Sequence, residues 1–365
     1  MNRIYLSPPE VEGDEIGLLT DVFNSNWIST VGPQIDEFEK CLEVFFPGKR
    51  VLALSSGTAA IQLALRMGGI PKGDSIGCDT FSFCALPNAI LNEGFNPVFL
   101  DCGKDWNLDQ RVLQDTSSDQ LKAVLSAHCY GSISNDIQGM KRYCKEKGIL
   151  FIEDAAEAFG AKNENSYAGG LGDYGVLSFN GNKIFTTGGG GALVLSSTDE
   201  YDFGLHLATQ AKTSIDKGNE LTVGSNFRMS NLLAAIGIAQ IRGLNRRLAR
   251  KREIHEAYVD ALGAYPVSFQ PSGVDGSSNH WLTTVMFTEN VNINQLISMF
   301  EEKNIEVRRV WEPLHTQFKF KGFKYYGDQR RAETLFASGI CLPSGTSLTK
   351  EDQLRVIDVL KRFMG

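Results

Sequence analysis

No apolar run in the 365 residues approaches the length of a bilayer span, and no block of lysine and arginine stands out in a chain of net charge -7. A membrane-spanning role and a nucleic-acid partner are therefore not expected. Met1-Asn2-Arg3 leads directly into an apolar stretch rather than a complete signal peptide. Cys41, Cys78, Cys84, Cys102, Cys129, Cys144 and Cys341 are scattered and odd in number. Having neither disulfide nor zinc spacing, they read as small buried thiols in a reducing cytoplasm. Histidine is scarce, and His206, His255 and His280 have no carboxylate or cysteine at a recognised metal spacing, so no metal is expected. Two phosphate loops are also missing: no Gly-x-Gly-x-x-Gly opens a first βα unit, and no Gly-x-x-x-x-Gly-Lys-Ser/Thr occurs. Nicotinamide and nucleoside-triphosphate readings start weak. There is no internal repeat and no low-complexity tail.

What the chain does contain is alternation. Seven strand-like runs, at 51–54, 75–78, 96–100, 123–127, 149–152, 174–179 and 191–195, are separated by helical patterns. The first of these helices begins near Glu10 and carries Ile16, Leu18, Leu19, Val22 and Phe23. That order predicts an α/β architecture with a large sheet covered by helices. After Asn231 a long helical pattern runs toward Leu262, carrying Arg246-Arg247 and Arg250-Lys251-Arg252, which read as a solvated face. A loop from Pro271 precedes Trp281–Phe287, where a smaller α/β domain is expected to begin. A chain of this length, 42% hydrophobic, divides naturally in two, since single cores rarely grow past about 250–300 residues. The expected division is 1–240 for the large domain and 241–365 for the small one with its linking helix.

Three short segments carry chemistry. Lys183 lies between the apolar run ending at Ser178-Phe179 and the turn Gly188-Gly189-Gly190-Gly191. A desolvated lysine holds its proton less tightly, which prepares an amine to form a Schiff base with a carbonyl or with pyridoxal phosphate. A lysine ending a buried strand with its ammonium in solvent fits the same run. Asp154, in Phe151-Ile152-Glu153-Asp154-Ala155-Ala156-Glu157, stands where a parallel strand exposes its carboxyl end. A carboxylate there suits the pyridine nitrogen of such a cofactor; it also suits a helix N-cap, with Glu157 as its capping-box partner or as a ligand contact. Third, Leu54-Ser55-Ser56-Gly57-Thr58-Ala59 turns from a strand into a helix. Such a turn presents backbone N–H groups to a phosphate, or is an ordinary βα connection. His128, at a predicted strand end, and His315, after Trp311, each read either as a substrate contact or as a structural hydrogen bond.

Together, Ser56-Gly57-Thr58-Ala59-Ala60, Glu153-Asp154-Ala155-Ala156, Ser178-Phe179-x-x-Asn182-Lys183-x-x-Thr186-Thr187-Gly188 and Asn226-Phe227-Arg228-Met229-Ser230-Asn231 resemble the DegT/DnrJ/EryC1/StrS sugar-nucleotide aminotransferases. The resemblance runs from Leu6-Ser7-Pro8-Pro9 to Cys341-Leu342-Pro343-Ser344-Gly345. It implies a fold-type I pyridoxal phosphate enzyme with a mixed, mostly parallel seven-stranded sheet and a smaller C-terminal α/β domain. Lys183 is implied as the Schiff-base and acid–base lysine and Asp154 as the partner of the pyridine nitrogen. Phe83 is implied as the ring-stacking aromatic, and Gly57, Thr58 and Ser178 as phosphate ligands. Asn226 would reach the phosphate from a partner subunit, in a homodimer with shared sites. Glu157 stands where many relatives have glutamine, and Lys183 argues against the dehydratase branch, which carries histidine there.

Asn180-Gly181-Asn182-Lys183 and Trp311-Glu312-Pro313-Leu314-His315 resemble most the bacterial enzymes, including the one of Campylobacter protein glycosylation, that aminate C4 of a UDP-linked 4-keto-6-deoxy-N-acetylglucosamine. L-Glutamate is then the implied donor, and Asn182, Arg228, Trp311, His128 and His315 the candidate substrate contacts. A C3 aminotransferase acting on a dTDP- or UDP-linked 3-keto sugar, and a non-catalytic cofactor-binding regulator, remain as alternatives.

Overall fold

The computed structural model describes residues 2–11, 13–116, 121–164, 166–212, 223–272 and 278–365. All seven expected strands are present: β1 (Arg50–Leu54), β2 (Ser75–Asp79), β3 (Asn96–Leu100), β4 (Leu121–Ala127), β5 (Leu150–Asp154), β6 (Tyr174–Ser178) and β7 (Gly191–Leu195). The smaller unit adds β8 (Val267–Phe269), β9 (Thr283–Phe287), β10 (Arg308–Arg309), β11 (Tyr325–Tyr326) and β12 (Gly339–Leu342). The large sheet has eight strands rather than seven, ordered β1-β7-β6-β5-β4-β2-β3-β11. Its eighth member comes from the C-terminal third of the chain: Tyr325 and Tyr326 pair parallel with Phe99 and Leu100 on the β3 edge. A two-residue strand has no periodicity to betray it in the sequence.

β2 to β6 run parallel, while β7 is antiparallel to both β6 and β1. The central strands are buried along nearly their whole length, which is why they read as continuous apolar runs; both faces of such a sheet are covered. The parallel register aligns Ala127 with Asp154, so the carboxyl ends of β4 and β5 open side by side. Ser178 ends β6 opposite Gly191 at the start of β7.

A second, antiparallel sheet, β10-β12-β9-β8, forms the smaller unit. Its apolar core contains Val285, Leu296, Ile340 and Leu360, together with Ile4 from the other end of the sequence. Ile4 bridges to Ile305, so the first residues pack on the C-terminal unit.

The long helical pattern is not one helix. It breaks at Gly243 into Asn231–Arg242 and Leu244–Leu262, and the Arg247 guanidinium donates to the Gln240 carbonyl at 2.6 Å. That contact satisfies one of the carbonyls left open where the first helix ends. The basic cluster is correspondingly not a solvated face throughout: Arg247 and Lys251 are buried. The first helix begins at Glu15 rather than near Glu10, burying Val22 but leaving Ile16 and Phe23 exposed. Among the described residues no helix is long and apolar enough to cross a membrane.

Candidate active site

A cavity of about 580 Å³ opens at the carboxyl ends of the parallel strands and brings together Gly57, Thr58, Phe83, Asp154, Glu157, Ser178, Asn182, Lys183 and Trp311. Three stretches of chain supply the groups singled out from the sequence, and each is held for an identifiable reason.

Lys183 sits on the loop that follows β6. Phe179 and Phe185 stack at 4.9 Å, with Phe38 and Phe159 edge-on to the pair, and the N–H of Thr187 returns to the Phe179 carbonyl. This aromatic clamp closes the loop, with Lys183 in the cavity wall. Its amine lies 3.9 Å from Oε1 of Glu157 and 4.1 Å from the ring centroid of Trp281. Burial pulls the amine below the ordinary lysine value, and the carboxylates of Glu157 and Asp154 oppose the shift.

Asp154 ends β5 and is not a helix N-cap. The Ala155 N–H bonds to the Val176 carbonyl of the neighbouring strand, and residues 156–160 form turns. One carboxylate oxygen accepts from the Ala156 N–H at 2.9 Å. Burial raises the acid above its usual range, against the pull of that N–H and of the Lys183 ammonium. Glu157 is not a capping-box residue either: Oε2 accepts the Tyr130 N–H at 2.7 Å, and burial raises its carboxyl too.

The strand-to-helix turn after β1 caps the helix Gly57–Met67. Ser56 Oγ accepts from Ala59 N at 3.0 Å, while the N–H groups of Gly57 and Thr58 have no acceptor inside the helix. The turn lies flush against β6 and β7. A Cβ on Gly57 would come within 3.1 Å of the Ser178 Cβ, and one on Gly191 within 2.4 Å of the Gly57 nitrogen. Glycine at these positions lets the turn, β6 and β7 approach closely.

Other expected contacts lie elsewhere. His128 is fully buried outside the cavity, with Nδ1 accepting from Ser134 N and Nε2 paired to Glu153 Oε1 at 2.8 Å. Glu153 also accepts from the N–H groups of Gly169, Leu171 and Gly172; burial raises its acid, but His128 and these donors lower it more. His315 bonds to Thr80 and Glu333 and stacks on Tyr325. Both histidines are engaged in hydrogen bonds within the chain and are absent from the cavity lining. Arg228 is locked to Glu39, which also accepts from Ala53 N and the Tyr201 hydroxyl, and does not reach the cavity of its own chain. Asn226 is exposed outside it, bridged to Thr209.

Sequence reasoning missed Asn180, Gly190, Arg308 and above all Trp281, which also line the cavity. Trp281 is adjacent in sequence to no other wall residue, and no spacing rule connects it to Lys183.

A family model described as the DegT/DnrJ/EryC1/StrS aminotransferase family matches residues 9–361. The chain belongs to that family. The aminotransferase is 39% identical to EpsN of Bacillus subtilis, which carries the name of a pyridoxal phosphate-dependent aminotransferase, over 98% of this chain and 95% of EpsN. It is 31% identical to GDP-perosamine synthase of Escherichia coli O157:H7, over 100% and 99% of the two chains. Its fold matches the pyridoxal phosphate form of the sugar aminotransferase Spr1654 of Streptococcus pneumoniae with a TM-score of 0.91, at 22% identity and over 100% and 99% of the chains. The residues present fit that cofactor: a buried amine, a carboxyl at a strand end and a helix N-terminus whose glycines leave space for a phosphate. The protein is a pyridoxal phosphate-dependent aminotransferase.

Proposed function

We propose that the aminotransferase moves the amino group of L-glutamate to the C4 ketone of a UDP-linked 4-keto-6-deoxy-N-acetylhexosamine, giving a UDP-4-amino-4,6-dideoxy sugar and 2-oxoglutarate. The observation that carries this reading is the meeting of Lys183, Asp154 and the Gly57–Thr58 turn on one cavity whose wall also contains Asn180, Asn182 and Trp311. Those last three belong to the segments that resemble the C4 enzymes.

Bound pyridoxal phosphate supplies an electron sink and carries the amino group between the two substrates. The Gly57 and Thr58 N–H groups and the Thr58 and Ser178 hydroxyls would hold its phosphate, Asp154 would partner its ring nitrogen, and Phe83 and Trp311 would offer aromatic faces. Lys183 Nζ takes the proton from the glutamate Cα in the first half-reaction and delivers one to the sugar C4 in the second. Its lowered proton affinity suits an amine that must both accept and release a proton.

Asn226, exposed on its own chain, completes the phosphate site of a second copy in a C2 homodimer. The seven free cysteines accord with a cytoplasmic setting. A GDP-linked 4-keto sugar is the second reading, favoured by the 31% identity to a GDP-perosamine synthase.

The test is a half-reaction. Enzyme converted to its aminated form with L-glutamate is offered UDP-, GDP- and dTDP-linked 4-keto and 3-keto sugars, and the return of the original visible spectrum is followed. Selective return with the UDP 4-keto compound, and an amine at C4 of the product, is the expected result. Preference for another nucleotide or for a 3-keto sugar overturns the substrate assignment, and no response to any donor or sugar favours a non-catalytic protein.

A further inference from the structure

Trp281 is held more firmly than a cavity wall requires. Its indole N–H donates to the carbonyl of Asn182 at 2.6 Å, the residue next to Lys183. Its backbone N–H donates to Asn279 Oδ1 at 2.8 Å, and Asn279 Nδ2 in turn binds the carbonyls of Glu157 and Phe159 at 2.9 Å each. Tyr130 lies nearly parallel to the indole, at 6.3 Å and 15°. The remaining backbone group, the Trp281 carbonyl, accepts from Nζ of Lys251 at 2.8 Å.

Lys251 is itself unusual. It projects from the helix Leu244–Leu262, is 3% exposed, and among the described residues its other hydrogen-bond partner is Ser7 Oγ at 3.2 Å. Burial brings its amine down to about 7, with Glu10 the opposing charge. Sealing a lysine inside a protein is costly, and nothing in the transfer reaction uses this one. Its contacts tie the N-terminal segment, the linking helix and the Trp281 backbone into one frame. The ring that this frame fixes lies 4.1 Å from the Lys183 amine.

Any lysine that bonds to its cofactor and then acts as a proton carrier must be released from that bond, and while it carries a proton it is an ammonium in a desolvated cavity. The face of an indole attracts an ammonium through the ring quadrupole, more strongly than phenylalanine does. We propose that Trp281 is the resting place of the Lys183 amine whenever it is not bonded to the cofactor, and that Lys251 is the positioning residue that keeps the indole there. This rests on the reading of Lys183 as cofactor-bonding and proton-carrying. The charged groups facing that amine are Glu157 and Asp154; the indole adds attraction for the cation without adding a carboxylate that would hold its proton permanently.

The contact can be read without turnover. In the full-length chain freed of cofactor, the rate at which an amine-reactive acylating reagent modifies Lys183 is followed by peptide mass analysis across a pH series, with thermal melting recorded for each variant. Removing the ring in Trp281→Leu should shift the Lys183 profile to lower pH and raise modification near neutrality by about threefold to tenfold. Trp281→Phe, which keeps an aromatic face, should restore most of the wild-type profile. Lys251→Met should shift it in the same direction as Trp281→Leu, and Lys251→Arg, which keeps a donor, should reverse that shift. An unmoved or upward-shifted profile in a folded Trp281→Leu protein overturns the resting place. Should that variant not fold, Lys251→Met with a wild-type profile overturns the proposal instead. Failure of the functional reading shows separately, as absence of a cofactor adduct on Lys183 after borohydride reduction of the loaded enzyme.

Discussion

The amine of Lys183 stands 3.9 Å from Oε1 of Glu157, although the two residues arrive on different strand-following loops and Glu157 is already committed through its other oxygen to the Tyr130 N–H. The pairing favours the protonated amine while burial disfavours it, and the balance keeps the proton mobile. Glu157→Gln removes the charge but can keep the contact to Tyr130. Lys183 should then titrate at lower pH, moving the basic limb of its modification profile downward in the cofactor-free chain. An unchanged profile would show that Glu157 is too well screened to matter.

Cofactor attachment is expected at one position. Borohydride reduction of the loaded protein followed by peptide mapping should place the adduct on Lys183. Lys183→Arg should abolish it while leaving the unfolding transition cooperative. An adduct on another lysine would relocate the site.

Asp154→Asn keeps the shape of the strand end and its bond to Ala156 N but loses the charge proposed to partner the ring nitrogen. Turnover should fall by at least about 100-fold, the scale of losing one preorganised electrostatic partner in a transition state. Stability should change far less. Near-normal turnover would remove Asp154 from the mechanism.

Glu153 should show its structural role through pH. Its folded-state value is depressed below the ordinary 4.5, so its stabilisation is fully present above that pH and is lost as pH falls through the lower folded value. Glu153→Gln, which weakens the buried pair with His128, should cost about 3–5 kcal/mol in urea unfolding at neutral pH. The difference from wild type should shrink below about pH 4.5. A constant difference at all pH values would contradict an ionised Glu153.

Shared sites predict complementation. Mixing equal amounts of Lys183→Ala and Asn226→Ala chains and allowing exchange should restore about a quarter of the sites, since half of the dimers are mixed and each carries one intact site. No recovery after demonstrated exchange would place Asn226 outside the partner's site.

The sequence by itself determined the strands and the anchors. All seven expected strands of the large sheet begin and end within two residues of their predicted limits, because strands buried on both faces must be continuously apolar. Lys183, Asp154 and the Ser56–Thr58 turn were legible because each is a local signal: a polar group at the end of an apolar run, or a cap at the start of a helix. Tertiary structure decided everything that depends on which face of an element is covered. Asp154 and Glu157 spell a capping box, but pairing of Ala155 with Val176 on β6 holds the segment out of a helix. Arg247 and Lys251, one helical turn apart, look like solvent-facing charge until Gln240, Ser7 and the Trp281 backbone enclose them. His128 sits at a ligand-facing strand end but turns inward because Glu153 lies buried beside it. Trp281 carries no local mark at all, since its meaning lies in a contact with a lysine far away in sequence. Local composition fixes the propensity of each segment, whereas the partner of a polar or aromatic side chain is fixed only when distant segments compete to bury it.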